Sequence, residues 1–409
     1  RRFLPLQAID SVRAAGARTE SMVRHHGRMT DVTTLVVGAG PMGASAARHL
    51  STDPNAGRVM VIGAAEGAAP YGAWHDEARL TRIVANDMVW STLARESMAR
   101  YPEIEAAGGI PFHRRTGVLY VHEQASTFEP QHDVAVRHGV DFSVEGPEAY
   151  PYLRMPAGTR VIHERGDAGV VNPRALVANQ LAGAAANGAT VLHDVVTSID
   201  VGDTGATVRT RSGATVTAER VLVAAGAYVN TLLSLPVVST GITALFFEVE
   251  PGDGLDDMAG MLWTDAAPGA PFIYTVPPTR YPDGRLWFKI GGYRESGPLH
   301  SGDEIDEWHR TDGGRMEAEQ LRAWVAEHVP VLAGRDRHAV GCVVTDVAGG
   351  MPLIANVVPG RVYVASGCAG AAAKSCDEIG RLAAVLTARD EWDSSLDQAL
   401  FTAPLRQET

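Results

Sequence analysis

The run TTLVVGAGPMGASAARHL, residues 33–50, allows few folds. An uninterrupted apolar stretch leads into glycines at 38, 40 and 43, and an alanine-rich segment with helical character follows. The spacing is G-x-G-x-x-G. Gly38 permits the tight turn, Gly40 lets backbone amides approach a pyrophosphate, and Gly43 allows close helix–strand packing, with Pro41 and Met42 opening the helix. The apolar segment RVMVI at 58–62 supplies a second strand, closing a β-α-β unit of about 30 residues. Such a unit reads as a dinucleotide site. An acidic residue usually ends the second strand to hold the ribose, but Gly63 stands there, and Glu66 is the nearest substitute.

Further strands are expected at 117–122, 190–197, 206–210 and 220–225, with a helix over 171–189. From 241 onward the grammar changes to longer strands, ITALFFEVE and RLWFKIGGY, divided by Pro-Gly and Pro-Asp-Gly turns, which predicts an antiparallel sheet. The tail returns to α/β character: RVYVASG at 361–367 is a strand entering a glycine turn, and AAAKSCDEIGRLAAVLTA is a helix. The chain therefore leaves the nucleotide domain and comes back to it.

Charge and cysteine content limit the partners. A formal net charge of -12 disfavours a nucleic-acid surface, which needs clustered Lys and Arg. Cys342, Cys368 and Cys376 are few and odd in number, which suits a reducing cytoplasm better than a disulfide framework. No apolar run reaches the roughly 18 residues of a membrane span. Residues 1–28 stand apart, with six arginines against Asp10 and Glu20. They are expected to be an extension outside the fold, disordered or vector-derived, since no apolar segment follows RRFLPL to make an export signal.

The segments VVGAGPMG, WHDEARLTRI, GVVNPRALV, VLVAAGAY, WFKIGGY, GCVVTDVAGGMPLI and ASGCAGAAAKSC occur in an order that resembles the FAD-dependent amine oxidases of the D-amino acid oxidase superfamily. The resemblance spans roughly residues 33–390 and is nearest to the monomeric sarcosine oxidase and N-methyltryptophan oxidase branch. It implies an α/β FAD-binding domain, Rossmann-like and of the glutathione-reductase type, plus an α+β substrate domain with a large antiparallel sheet. The FAD-binding part is expected at 29–110, 165–237 and 340–409, and the substrate part at 111–164 and 238–339.

Carried over residue by residue, the resemblance places His75 and Arg79 beside the cofactor and Arg82 on a substrate carboxylate, with Lys374 as the second carboxylate-binding group. It implies cofactor contacts from Val195, Ala225, Gly226, Gly367 and Gly370. Lys289 matches the lysine that activates oxygen, although a strand lysine between Phe288 and Ile290 also fits a solvent-facing position. Cys342 matches the cysteine that carries covalently attached FAD, the alternative being a buried, unreactive thiol. Tyr293 stands four residues after the strand lysine, where sarcosine-type members have a histidine, and Tyr274 is expected as an aromatic wall.

The implied reaction is oxidation of a carboxylate-bearing amine, whether an amino acid, an N-methyl amino acid or a cyclic one. Hydride-equivalent transfer to flavin N5 gives an imine, and O2 then takes the electrons to yield hydrogen peroxide. A flavin dehydrogenase, or a biosynthetic tailoring oxidase acting on a cyclic amine or imine, is the nearest alternative. A NAD-dependent dehydrogenase and a noncatalytic flavoprotein are more distant ones. A monomer or small homo-oligomer is expected.

Overall fold

Leu35 and Val37 alternate with Val36 along the first strand, and all three are buried. A strand covered on both faces belongs at the centre of a parallel sheet. The computed structural model describes residues 29–65, 67–69, 71–264, 272–294, 296–402 and 405; the extension at 1–28 and Glu66 lie outside them. An eight-stranded sheet runs in the order β10 (Val196–Val201), β11 (Ala206–Thr210), β12 (Thr215–Val223), β1 (Met29–Val37), β2 (Val59–Gly63) and β9 (Thr190–His193). Two more strands complete it: β20 (Val362–Ser366) joins β12, and β19 (Leu353–Val358) joins β20. The pairings β12–β1, β1–β2, β2–β9 and β12–β20 are all parallel.

Two layers cover that sheet. Helices α1 (Pro41–Thr52) and α8 (Ala372–Arg389) bury Ala46, Leu50, Ile379 and Leu382 against the Val36 face. The opposite face collects Leu35, Val37, Ile62 and Val223. Helix α5 (Pro173–Ala186) begins at Asn172, whose side chain accepts from the amides of Arg174 and Ala175 and so caps the helix. The segment expected as one strand at 190–197 is two, β9 and β10, because the chain breaks at Asp194 and Val195 and β10 pairs antiparallel with β11 instead.

The second sheet has nine strands, in the order β17 (Pro298–Leu299), β13 (Val237–Val249), β16 (Leu286–Gly291), β15 (Phe272–Arg280), β14 (Gly260–Thr264), β5 (Val118–His122), β7 (Arg160–Glu164) and β6 (Phe142–Glu145), with β18 (Asp336–Val347) also on β13. It is antiparallel except where β14 meets β5. Phe247, Phe288 and Ile290 pack with Trp263 against Leu321, Trp324 and Val325 of helix α7 (Arg315–His328). The strand pairing departs from the expected division at residue 340. A boundary at 340 cuts through β18, whose pairing with β13 runs from Val347 to Asp336, so residues 340–347 and Cys342 with them belong to the larger sheet.

A third, three-stranded sheet joins the two, with β8 (Gly169–Val171) between β3 (Arg79–Thr81) and β4 (His113–Arg115). Helices α2 (Met88–Ala99), α3 (Tyr101–Gly108), α4 (Ala125–Arg137), α6 (Gly302–Trp308) and α9 (Ala399–Thr402) complete the structure. Buried Asp377 ties α8 to its neighbours, accepting from Ser45 at 3.0 Å, Arg48 at 3.0 Å, Gln180 at 2.8 Å and Arg100 at 2.5 Å. Burial by itself raises that carboxyl, but His49, Arg100 and Arg48 together hold it well below the usual carboxylate range. The helix that carries Lys374 is thus fixed from three sides, by α1, by α5 and by Arg100.

Candidate active site

The glycine turn after β1 has the build of a phosphate cradle. Gly38 has φ +105°, and a Cβ there would stand 2.3 Å from the Ala224 carbonyl oxygen. A Cβ on Gly43 would stand 1.9 Å from the Gly38 carbonyl oxygen, so only glycine lets the helix start this close to the strand. Gly40 caps α1 without a side-chain hydrogen bond, Pro41 has no N–H, and no acid occupies the first turn. The amides of Met42 and Gly43 are left at a positive helix end suited to an anion. Ala225 and Gly226 form the turn after β12, held to this one by the Ala224 amide on the Val37 carbonyl at 2.8 Å. Val195 lies at the carboxyl end of β9, beside Asp194, whose amide donates to Gly63. A side chain at 63 has no room, since its Cβ would come within 2.5 Å of the Ala39 amide nitrogen.

The stretch 72–82 crosses from this cradle to the larger sheet in extended and turn conformation, and only Arg79–Thr81 is strand. Trp74 approaches Gly40, and the His75 ring packs edge-on against it with centroids 4.4 Å apart. Arg79 donates to the Ala73 carbonyl at 2.7 Å and to Asp76, and its Nη2 lies 4.0 Å from Cys342 Sγ. Lys289, fully buried on β16, donates to the same Asp76 carboxylate and to the Ala78 carbonyl. The Tyr281 hydroxyl gives Asp76 a third hydrogen bond. Burial pushes the Lys289 ammonium well down, Arg79 adds to the effect, and Cys342 works against both. Tyr274 lies beside Gly291, and burial pushes its phenol up to about 12. Arg79, Lys289, Cys342 and Tyr274 therefore meet, around an aspartate that motif reading overlooked. Its signal was present in WHDEARLTR, but nothing in the spacing ties residue 76 to a lysine 213 positions away.

Arg82 and Lys374 form a second group. Arg82 donates to the Val84 carbonyl and lies 5.4 Å from the Tyr120 ring centroid. Lys374, in the first turn of α8, is 3% exposed, and its Nζ has no hydrogen-bond partner among the described residues. The nearest described aromatic face is Trp90, 5.9 Å from Nζ. Burial and then the Arg82 charge hold the Lys374 ammonium well below its ordinary value. Glu164, buried and also unforeseen, accepts from the amides of Ile83 at 2.7 Å and Val84 at 3.1 Å and from Tyr120, so it fixes the segment that presents Arg82. An orphaned buried ammonium beside a guanidinium is a site waiting for an anion.

The turn Gly367–Gly370 leads into α8, and Ala369 takes φ +44° within it. Thr345 of β18 over-determines that conformation: its hydroxyl accepts from the Cys368 amide at 2.9 Å, and its carbonyl accepts from the Ala369 amide at 2.9 Å. Tyr293 departs from expectation. It packs in the hydrophobic core of the larger sheet with Phe288 and Ile290, away from the face that bears Lys289.

A family model described as FAD dependent oxidoreductase, abbreviated DAO, matches residues 33–386. No curated protein matches the sequence. Among solved structures, L-proline dehydrogenase from P. horikoshii superposes with a TM-score of 0.77 at 16% identity, covering 93% of this chain and 99% of that one. NikD, described as an unusual amino acid oxidase essential for nikkomycin biosynthesis, gives 0.74 at 18% identity, covering 91% and 97%. Iminodiacetate oxidase from Chelativorans sp. BNC1 gives 0.70 at 21% identity, covering 90% and 98%. The residues present fit an FAD. The glycine cradle and uncapped α1 suit its pyrophosphate, and Cys342, Arg79 and the Gly367–Gly370 turn border the space beyond.

Proposed function

Because this chain belongs to the DAO family of FAD-dependent oxidoreductases, we propose that it oxidises an amine bearing a carboxylate, with O2 as the final electron acceptor and an imine and hydrogen peroxide as products. The observation that carries this reading is the Lys374 ammonium, buried next to Arg82 and without a hydrogen-bond partner among the described residues. A substrate carboxylate supplies the missing countercharge, and two charge-assisted contacts fix its orientation. Bound FAD supplies the two-electron acceptor and the route to oxygen.

The chain's own part is orientation and electrostatics. Lys374 takes up a proton, where it lacks one, as the carboxylate arrives. Glu164 keeps Arg82 in place through the amides of Ile83 and Val84. Lys289 holds positive charge on the cofactor side, where superoxide-like charge develops during oxygen reduction. Cys342, whose Sγ lies 4.0 Å from Arg79 Nη2 on the cofactor side, is the covalent anchor of FAD in this reading. His75, Val195, Ala225, Gly226 and Gly367 line the cofactor's path, and Tyr274 walls the substrate side.

The test is anaerobic mixing of the purified holoprotein with primary, N-methyl and cyclic amino acids. At least one should bleach the flavin, its decarboxylated counterpart should not, and admitting air should return the colour with one peroxide per substrate. A colourless protein, or equal bleaching by amines without a carboxylate, defeats the proposal. The likeness to a structure described as L-proline dehydrogenase keeps a dehydrogenase as the second reading, and bleaching that an artificial dye reverses but O2 does not would select it.

A further inference from the structure

Strand β16 changes sides where it ends. Trp287 and Lys289 face one way, toward Phe246 and Asp76, and Phe288 and Ile290 face the core. Plain alternation would carry the Lys289 face on to Tyr293. Gly292 interrupts it with φ +150°, and a Cβ there would stand 2.1 Å from the Phe272 carbonyl oxygen. Tyr293 consequently joins the core, and the next residue, Arg294, comes out on the side of the cofactor turn. Its Nη1 meets Asp346 at 2.9 Å, and its Nη2 stands 3.7 Å from the place of a Cβ on Gly370.

Asp346 fixes where this lies in the site. It shares a face of β18 with Cys342, four residues back, hence about 13 Å along the strand. Next to Asp346, with its side chain on the other face, Thr345 holds the Cys368–Ala369 turn. Arg294 thus stands toward the other end of β18 from Cys342, against the turn from which α8 delivers Lys374. The pair is partly open, with side chains 29% and 35% exposed, and Asp346 engages one terminal nitrogen. A half-exposed pair of this kind is weak, so an incoming carboxylate can replace it.

We propose that Arg294 is a second anion-binding group of the substrate pocket, and that the preferred substrates are amines carrying two carboxylates, one on Arg82 and Lys374 and the other on Arg294. The proposal rests on the carboxylate-amine reading above. Its test uses anions that cannot be oxidised at a C–N bond, because sulfur replaces the amine nitrogen: methylthioacetate with one carboxylate and thiodiacetate with two. Binding to the holoprotein is read by titration calorimetry and by the flavin difference spectrum.

Thiodiacetate should bind about tenfold more tightly or better, the gain of one charge-assisted contact. Arg294→Met should bring the two affinities within about twofold of each other, and Arg294→Lys should retain part of the preference. Asp346→Asn should enlarge it, since the competing carboxylate is gone; a merely structural pair would lose in both variants. Equal affinities in the natural protein, or a preference unchanged in Arg294→Met or reduced in Asp346→Asn, overturns the assignment. If methylthioacetate binds and the second carboxylate adds nothing, only Arg294 is misassigned. If neither anion binds, the Arg82–Lys374 clamp fails as well.

Discussion

Lys289 donates to Asp76 across 213 residues of sequence, joining the larger sheet to the crossing segment 72–82. Lys289 is fully buried and the Asp76 side chain nearly so, which makes the pair sensitive to loss of one member. Asp76→Asn should destabilise the protein by about 3–5 kcal/mol, the usual cost of an uncompensated buried charge. Adding Lys289→Met should recover part of it. Urea unfolding of both single variants and the double checks this, and strictly additive losses would show that the two groups are not coupled.

Lys289→Met also separates the two halves of the reaction. Anaerobic bleaching by substrate should change by less than about threefold, and reoxidation by O2 should slow by about a hundredfold or more, the scale of a preorganised charge. Stopped-flow mixing measures each directly. Equal slowing of both halves would remove Lys289 from the oxygen step.

Cys342→Ser should leave the flavin dissociable. Acid precipitation of the natural protein should give a yellow pellet, and the variant a yellow supernatant. Colour in the supernatant from both would mean that Cys342 forms no bond to the cofactor.

Lys374→Met should move stability and binding in opposite directions. A buried ammonium without a partner costs about 1–3 kcal/mol, so the variant should unfold at higher urea near neutral pH. The depressed folded value means that stability from this group is present above the unfolded value of 10.5 and lost as pH falls through the folded one. Methylthioacetate should bind the natural protein with proton uptake, and more weakly as pH rises. Calorimetry in buffers of different ionisation heat should show that uptake disappear in Lys374→Met.

Glu164 predicts the reverse slope. Burial raises its carboxyl above 4.5, against the hydrogen bonds from Tyr120, Ile83 and Val84. Its contribution is complete below 4.5 and declines as pH rises through the folded value. Glu164→Gln should flatten that part of the stability–pH curve, and an unchanged curve would argue against a raised value.

Much of this was readable from local grammar. Glycines 38, 40 and 43 announce the cradle because turn geometry and close packing are enforced within six residues. Arg82 and Lys374 could be paired only through resemblance, and the structure brings them near the same buried space. Asp76, Glu164 and Tyr281 escaped because their partners lie far away in sequence, and no spacing records such contacts. The boundary at 340 failed because β18 begins on one sheet and ends beside the turn that leads to the other. Tyr293 was placed by resemblance, four residues after the strand lysine, and the turn at Gly292 sends it into the core instead.

That glycine gives the pocket an unusual route to change. Because register, not chemistry, decides which of two neighbouring side chains looks inward, gaining a single codon just after Gly292 would exchange the cation for a neutral aromatic. Point substitution alters one side chain at a time, but here a one-residue insertion trades the two in a single step and leaves Lys289 where it was. Substrate range in proteins built this way can therefore jump between charge classes without passing through intermediates.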